Sequence, residues 1–577
     1  MTGQSRFKAF LHTRLRASVH RCASLPAGGA GILLVTAFAA TLVACSSYSF
    51  TPGPPSTYSS NAPAADLPAA QPLVGMALSG GGNRSGLFAS YVFELLGSLP
   101  VDAPAGIKAG TPAGTPAGGQ SAAQPVSFLD TVTHVSSVSG GSFAAAYFSM
   151  KGIGHYSAML SGNTVPEPYA SFFSDFQHQM NFDWAHAALG LRFLTFGSDA
   201  EGLVKAIDSQ YLHGATFTDL DKREASGASP RLILNATHYD TGRRFVMTTI
   251  PSASFCLNTE QFLLDVFYAP AGQEGHIDDM HESKLSQCDR NDALTPEGFD
   301  DFWNPKEQSV PSADVPLARA VATSAAFPLV VGPIAYPVAG QRELLHLIDG
   351  GVTDNSGVES MLQLYLRDLL KNRSHRDLVL SLDASLPFNA YGATIAGDKS
   401  PLSAFIDDPT RVSDIQEVRA SLYRRDLWNV TTYVARNMKR SSDAITRMDI
   451  VELKPDDLNV GPLSIDTHEC HTQYKDARSV HVAARDIPTS FHLDGCDAEL
   501  VRIAACWSVH QHAGQIQQFF DPAPADRRSE YSAGDQAASG NRSGNSRANS
   551  SANDSRTGML DARIRQMCPE LATAGVL

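Results

Sequence analysis

Short apolar runs alternate with helical patterns through the middle of this chain, and that alternation is what most limits its fold. "LVGMAL" (Leu73–Leu78) is followed by "GLFASYVFELLGSL", and "THVSSV" by "SFAAAYFSM". Further β-rich runs are "RLILNAT", "LLHLI", "DLVLSLDAS" from Asp377 and "MDIVELKP" from Met448. In the first helical pattern Leu87, Phe88, Tyr91, Val92, Leu95, Leu96 and Leu99 recur at i, i+3/i+4, a stripe that faces a core. Strands alternating with helices predict an α/β fold, a three-layer sandwich around a mostly parallel central sheet. Sheets of this kind place ligands at the carboxyl ends of their strands.

Three of those strand ends carry chemistry. In "MALSGGGNRSGLF" the glycines Gly80, Gly81 and Gly82 separate a strand from a helix. Consecutive glycines are entropically costly, so something must approach this backbone where a side chain would block it. In "THVSSVSGGSFAAAY" a β run breaks at Ser139-Gly140-Gly141 and a helix begins. That is the layout of a nucleophile elbow, G-x-S-x-G, here written S-x-S-x-G with the small residue Ser137 in place of the first glycine. The helix N-terminus behind Ser139 would stabilise negative charge developing beside it; the alternative is that Ser139 only caps the helix. In "LLHLIDGGVTDNSG" a strand delivers Asp349 to a Gly-Gly turn, which makes it a candidate base, although Asp-Gly is also a common turn pair. Asp354 is a rival carboxylate five residues on.

In this order the three motifs resemble the patatin-like phospholipase family. Gly80, Gly81, Gly82 and Arg84 match its G-G-G-x-R motif, Ser139 its nucleophile and Asp349 its dyad aspartate. "NATHYDTGRRFVM" from Asn235 is similar to the family's strand-turn-strand, and "ATSAAFP" (Ala322 to Pro328) to its A-S-x-A-x-P segment, with Thr323 in place of the alanine. The resemblance runs from Leu73 to Pro455, with residues 101–126 unmatched. It implies a lipid acyl hydrolase of phospholipase A or lysophospholipase type, acting on membrane phospholipid or lysophospholipid through a Ser–Asp dyad and an acyl-enzyme. It further implies an oxyanion hole of the Gly80 to Gly82 and Gly140 N–H groups, with no metal and no cofactor. Arg84 is open to three roles: holding the glycine loop, contacting a lipid phosphate, or a surface ion pair. Two other readings stand beside it: a histidine-dependent α/β-hydrolase using His510 or His512, and a lipoprotein that binds lipid without catalysis. A nucleotide-binding loop is set aside, because no Gly-Lys-Ser/Thr follows the glycines.

The formal net charge is −14 and no basic stripe is present, which argues against a nucleic-acid binder. Residues 1–44 read as an export signal: five basic residues, no acid, then an apolar run too short to span a membrane. "LVAC" resembles a bacterial lipobox, so Cys45 is expected to be acylated and to anchor the chain to a membrane, with Ser46 pointing to the outer one. Residues 45–72 then form a Pro/Ser/Ala-rich tether, 73–455 the hydrolase domain with a low-complexity insertion at 101–126, and 456–520 a cysteine-containing C-terminal extension. Residues 521–558 are read as disordered and 559–577 as a short helix. Six cysteines, Cys256, Cys288, Cys470, Cys496, Cys506 and Cys568, fit disulfides in an oxidising compartment, with 15 pairings possible and Cys256–Cys288 the first expected from proximity. No C-x-x-C pair supports a zinc site. The apolar segment from Trp184 to Gly197 reads as an acyl pocket, a lid or a core helix, and 411–440 as an amphipathic helix.

Overall fold

The computed structural model describes residues 72–102, 125–162, 164–184, 187, 200–256, 295–302, 315–327, 331–338, 344–371, 376–385, six positions between 420 and 429, 447–521 and 550–577. Cys45, the tether up to residue 71, residues 103–124 of the low-complexity insertion, Cys288 and most of the 184–197 and 411–440 segments lie outside the described residues.

Strands β1 (Leu73–Leu78), β4 (His134–Val138), β5 (Arg231–His238), β6 (Arg244–Thr248), β7 (Glu297–Gly298), β8 (Ile334–Pro337), β9 (Leu344–Asp349), β10 (Arg376–Leu382) and β11 (Arg447–Leu453) form one sheet; β2 (Pro100–Val101) and β3 (Val126–Ser127) make a separate small ladder. The order is β11-β10-β1-β4-β5-β6-β7, with β9 on β5 and β8 on β9. β11, β10, β1, β4 and β5 run parallel, while β6 and β9 run antiparallel to β5. The sheet is mixed and mostly parallel, flanked by helices, as the alternating pattern predicts. All of β1 is buried, and a parallel strand covered on both faces reads as a continuous apolar run rather than an alternating one. Val74, Met76 and Leu78 join the core beneath helix α1 (Asn83–Gly97). Gly75 points the other way: a Cβ there would lie 2.0 Å from Met361 of a helix on the opposite face.

The main helical layer holds α1, α2 (Gly140–Lys151) and α3 (Tyr169–Met180); α4 (Ala200–Ile207) and α5 (Phe217–Ala225) lead to β5, α6 (Leu317–Ser324) precedes β8, and α7 (Val358–Lys371) follows β9. The expected one-sided stripe on α1 understates its burial, for only Tyr91 of the helix is not buried. The reason lies far along the chain. Beyond a hairpin, β12 (Leu463–Asp466) and β13 (His471–Tyr474), and α8 (Ala477–Arg485), the long helix α9 (Gly495–Phe520) packs along the outer side of α1. Even Glu94 on α1 is buried, accepting from Gln177 Nε2 at 2.5 Å and pairing with Arg563.

Residues Leu500, Val501, Ile503, Ile564 and Leu571 belong to the same core as the sheet. Disulfides Cys470–Cys496 and Cys506–Cys568 tie the C-terminal elements together. Cys256 is also disulfide-bonded, to a partner outside the described residues. Helix α10 (Ser550–Met567) begins inside the stretch expected to be disordered, and α11 (Pro569–Thr573) follows it. Leu560 and Ile564 are buried, and helix growth from such a packed turn is cooperative, so it extends back through residues that could not bury a core themselves. Among the described residues no helix is long and apolar enough to cross a membrane.

Candidate active site

β4 ends at Val138, and Ser139 turns the chain with φ 49° and ψ −121° before α2 begins at Gly140. A non-glycine residue in such a conformation costs about 1–3 kcal/mol and persists only where its surroundings hold it. Here they do. The Ser139 N–H donates to Ser324 Oγ at 3.1 Å, and the Ser324 hydroxyl donates to the Asn235 carbonyl at 2.6 Å. Ser142 Oγ lies 2.8 Å from Ser324 Oγ and 3.1 Å from Ser137 Oγ. Ser137 therefore does more than save space where the motif has glycine; its hydroxyl joins a polar chain behind the turn. Ser139 occupies the N-cap position of α2, and its carbonyl accepts the Ser142 N–H at 2.9 Å, but its side chain makes no capping hydrogen bond. A Cβ on Gly140 would lie 2.0 Å from the Gly82 carbonyl oxygen, and one on Gly141 2.6 Å from that of Ser79.

Asp349 arrives from the opposite direction. β4 and β9 occupy successive parts of one edge of β5: Val138 is in register with Asn235, and Asp349 with the next residue, Ala236. The two strands thus point their ends at each other, which brings the Ser139 hydroxyl near enough to the Asp349 carboxyl to pull its pKa down. The Asp349 N–H donates to Ala326 O at 3.0 Å, and its carbonyl accepts from Thr237 Oγ1 at 2.9 Å. Burial pushes this carboxyl up to about 6, against the opposing pull of the Gly351 N–H at 2.7 Å and the Ser139 hydroxyl. Asp354 has a different job. It is fully buried and accepts from Ser356 Oγ at 2.6 Å and the Glu359 N–H at 2.9 Å, which fixes the start of α7.

The glycine loop corrects two expectations. The Gly80 N–H is committed to Asn355 O at 2.8 Å, which removes it from the set of oxyanion donors. The N–H groups of Gly81, Gly82 and Gly140 have no acceptor among the described residues. The glycines are also required by the protein itself, rather than by an approaching ligand alone. A Cβ would lie 2.1 Å from Asn355 Oδ1 at Gly80, 2.9 Å from Ala384 O at Gly81 and 2.2 Å from Ser490 O at Gly82. Gly81 and Gly82 also have φ of 138° and 61°, which side chains disfavour. Arg84 is 2% exposed and donates to Ala384 O at 2.8 Å, Ile487 O at 2.6 Å and Thr489 Oγ1 at 3.0 Å. Burial lowers its pKa to about 10, in spite of Asp383, Asp456 and Asp497 nearby. Of its three candidate roles, it holds the loop; it is neither a surface ion pair nor open to a phosphate.

The family model described as patatin-like phospholipase matches residues 76–362, from the middle of β1 into α7. The chain carries a domain of the patatin-like phospholipase family. That description places the domain, at family level, among lipid acyl hydrolases. Solved structures that align with the chain include human GIVD cytosolic phospholipase A2, at 10% identity and TM-score 0.37, over 78% of this chain and 60% of that one. The same enzyme in complex with methyl gamma-linolenyl fluorophosphonate aligns at 11% identity and TM-score 0.34, over 78% and 59%. The chain thus spans about 60% of the length of these structures. No curated protein matches it.

Within the patatin-like domain, the "ATSAAFP" segment supplies both Ser324, beneath the elbow, and Ala326, which accepts from Asp349. Asn235 anchors the elbow from below, donating Nδ2 to Ser136 Oγ and Ser137 O, each at 2.9 Å. His510 and His512 lie on α9, paired with Asp561 at 3.3 Å and with Ser508 O at 2.8 Å, and neither bonds Ser139 or Asp349. Trp184 is a core residue, packed on Phe143 and Phe182. Among the described residues no group of three His, Cys, Asp or Glu is placed to hold a metal ion. Ser324 and Asn355 were missed as individual site residues, although each lies in a motif singled out from the sequence.

Proposed function

We propose that this protein is a lipid acyl hydrolase of phospholipase A or lysophospholipase type, with Ser139 as nucleophile and Asp349 as base. One observation carries the reading: a serine on a strained strand-to-helix turn, beside a buried carboxyl that burial raises to about 6. At neutral pH that carboxyl is ionised, yet it is a stronger base than an ordinary aspartate. Asp349 takes the Ser139 proton as Oγ attacks the ester carbonyl, and the Gly81, Gly82 and Gly140 N–H groups receive the oxyanion. The proton passes to the leaving alcohol or lysolipid. Water then attacks the acyl-Ser139 ester, loses its proton to Asp349, and the fatty acid departs with Ser139 restored. Each oxyanion donor is worth about 10²–10³ in rate. The exported, Cys45-acylated form is part of this proposal, supported by the "LVAC" pattern, and it places the enzyme at a bacterial membrane, the outer one by the following serine.

Labelling with a fluorophosphonate probe tests it. Wild type is expected to label, Ser139→Ala not at all, and Asp349→Asn at least ~10²-fold more slowly. Separate replacements of His510 and His512 are expected to label like wild type. A folded wild type that stays unlabelled refutes the hydrolase and favours a lipid-binding lipoprotein.

A further inference from the structure

Part of the C-terminal region outside the matched family residues reaches the glycine loop. Between α8 and α9 the chain crosses the start of α1 as a loop, Ile487–Leu493. Ser490 pairs with Gly82 in an isolated parallel bridge, and its carbonyl accepts the Asn83 N–H at 2.8 Å. Ile487 O and Thr489 Oγ1 take two of the three Arg84 hydrogen bonds, and Phe491 O accepts the Trp184 N–H at 3.1 Å. The segment is pinned at both ends. Ile487 and Leu493 are each 2% exposed, and Asp494 caps α9 by accepting the Asp497 N–H at 3.0 Å. The Cys470–Cys496 disulfide then ties the first turn of α9 to the β12–β13 hairpin.

Two adjacent glycines at positive φ have little conformational preference of their own, so contacts must set where their N–H groups point. On the sheet side those contacts are Gly80 N–H to Asn355 O and Arg84 Nε to Ala384 O. On the outer side they come from Ile487–Leu493. We propose that this segment is a positioning strap, which aims the Gly81 and Gly82 N–H groups at the oxyanion through Ser490 and through Arg84. The active site is then completed by residues outside the family domain. The inference rests on the reading of Ser139 as nucleophile and of these N–H groups as oxyanion donors. Because the strap acts on donors that meet charge only in the transition state, loosening it lowers kcat and leaves KM nearly unchanged.

The test uses the full chain, a soluble p-nitrophenyl ester and fluorophosphonate labelling rates. Thr489 is solvent-exposed, so Thr489→Val removes an Arg84 partner without disturbing a core. It is expected to lower kcat and labelling about tenfold, with KM within about twofold and Thr489→Ser restoring the rate. Opening Cys470–Cys496 with two serines is expected to lower kcat further, whereas opening Cys506–Cys568 leaves kcat near wild type below its melting temperature. Wild-type kcat in Thr489→Val, or equal loss of kcat in the two disulfide variants, overturns the strap. Should the Cys470–Cys496 variant not fold, the Thr489 pair decides alone. A wild type that does not label removes the hydrolase reading instead, so the two failures are distinct.

Discussion

The two turns that meet at this site are held in opposite ways. The serine elbow is braced from within the patatin-like domain: Ser324 Oγ accepts its N–H, the Asn235 carbonyl accepts the Ser324 hydroxyl, and Ser142 and Ser137 fill the space behind. The glycine loop has half its bracing from Asn355 and Ala384, and the other half from residues 487–490, more than a hundred positions past the last residue matched by the family. The elbow is thus braced by residues inside the matched span, whereas the loop depends also on residues beyond it. The difference teaches that a sequence motif can be present in full while many of the contacts that hold it lie elsewhere in the chain.

The severest way to break the contrast is to press the two turns together. Gly140→Ala would put a methyl 2.0 Å from Gly82 O, backbone against backbone, with no flexible side chain to give way. We expect it to cost about 3 kcal/mol or more and to lower both Tm and labelling, measured by thermal melts and probe kinetics. Next is the base. Because the folded-state pKa of Asp349 is raised from 3.8 to about 6, the native protein keeps a proton that the unfolded chain releases between those values. Its contribution is thus favourable below about pH 4 and is lost as pH rises through 6, a difference of about 3 kcal/mol at about 1.4 kcal/mol per pH unit. Asp349→Asn should melt higher than wild type at pH 7.5 and equal to it near pH 4, while wild-type labelling declines below pH 6. The mildest probe is Ser324→Ala. It leaves the Ser139 N–H without its acceptor, so we expect about 1–2 kcal/mol of lost stability and roughly tenfold slower labelling, with the strap and KM untouched.

Much of this was legible in the sequence, because it is local. A strand that ends in glycines and turns into a helix has to be written in adjacent residues, and the ends of β1, β4 and β9 were readable with Ser139 and Asp349 on them. The burial of α1 on every side was not, since the residues that cover it lie on α9 and leave no trace in the periodicity of α1. Arg84 shows the same limit. An arginine after three glycines is visible at once, but its partners at 384, 487 and 489 become neighbours only through tertiary folding. The glycines were read as space for a ligand, and backbone from Ser490 and Ala384 fills much of that space. Disulfide pairing was equally hidden, for it follows from how the hairpin and α11 dock on α9.

The shared edge of β5 has one more consequence. Since Val138 and Asp349 are registered to neighbouring residues, Asn235 and Ala236, the proposed nucleophile and its proposed base are spaced by a ruler one peptide unit long. The chain that connects them by the longer route can gain or lose loops without altering the gap. A single residue inserted between Asn235 and Ala236, by contrast, would slide the two strand ends apart by about 3.3 Å, beyond the reach of a hydrogen bond. Evolution is thus free to lengthen nearly everything between Ser139 and Asp349 except the shortest interval on which both are measured.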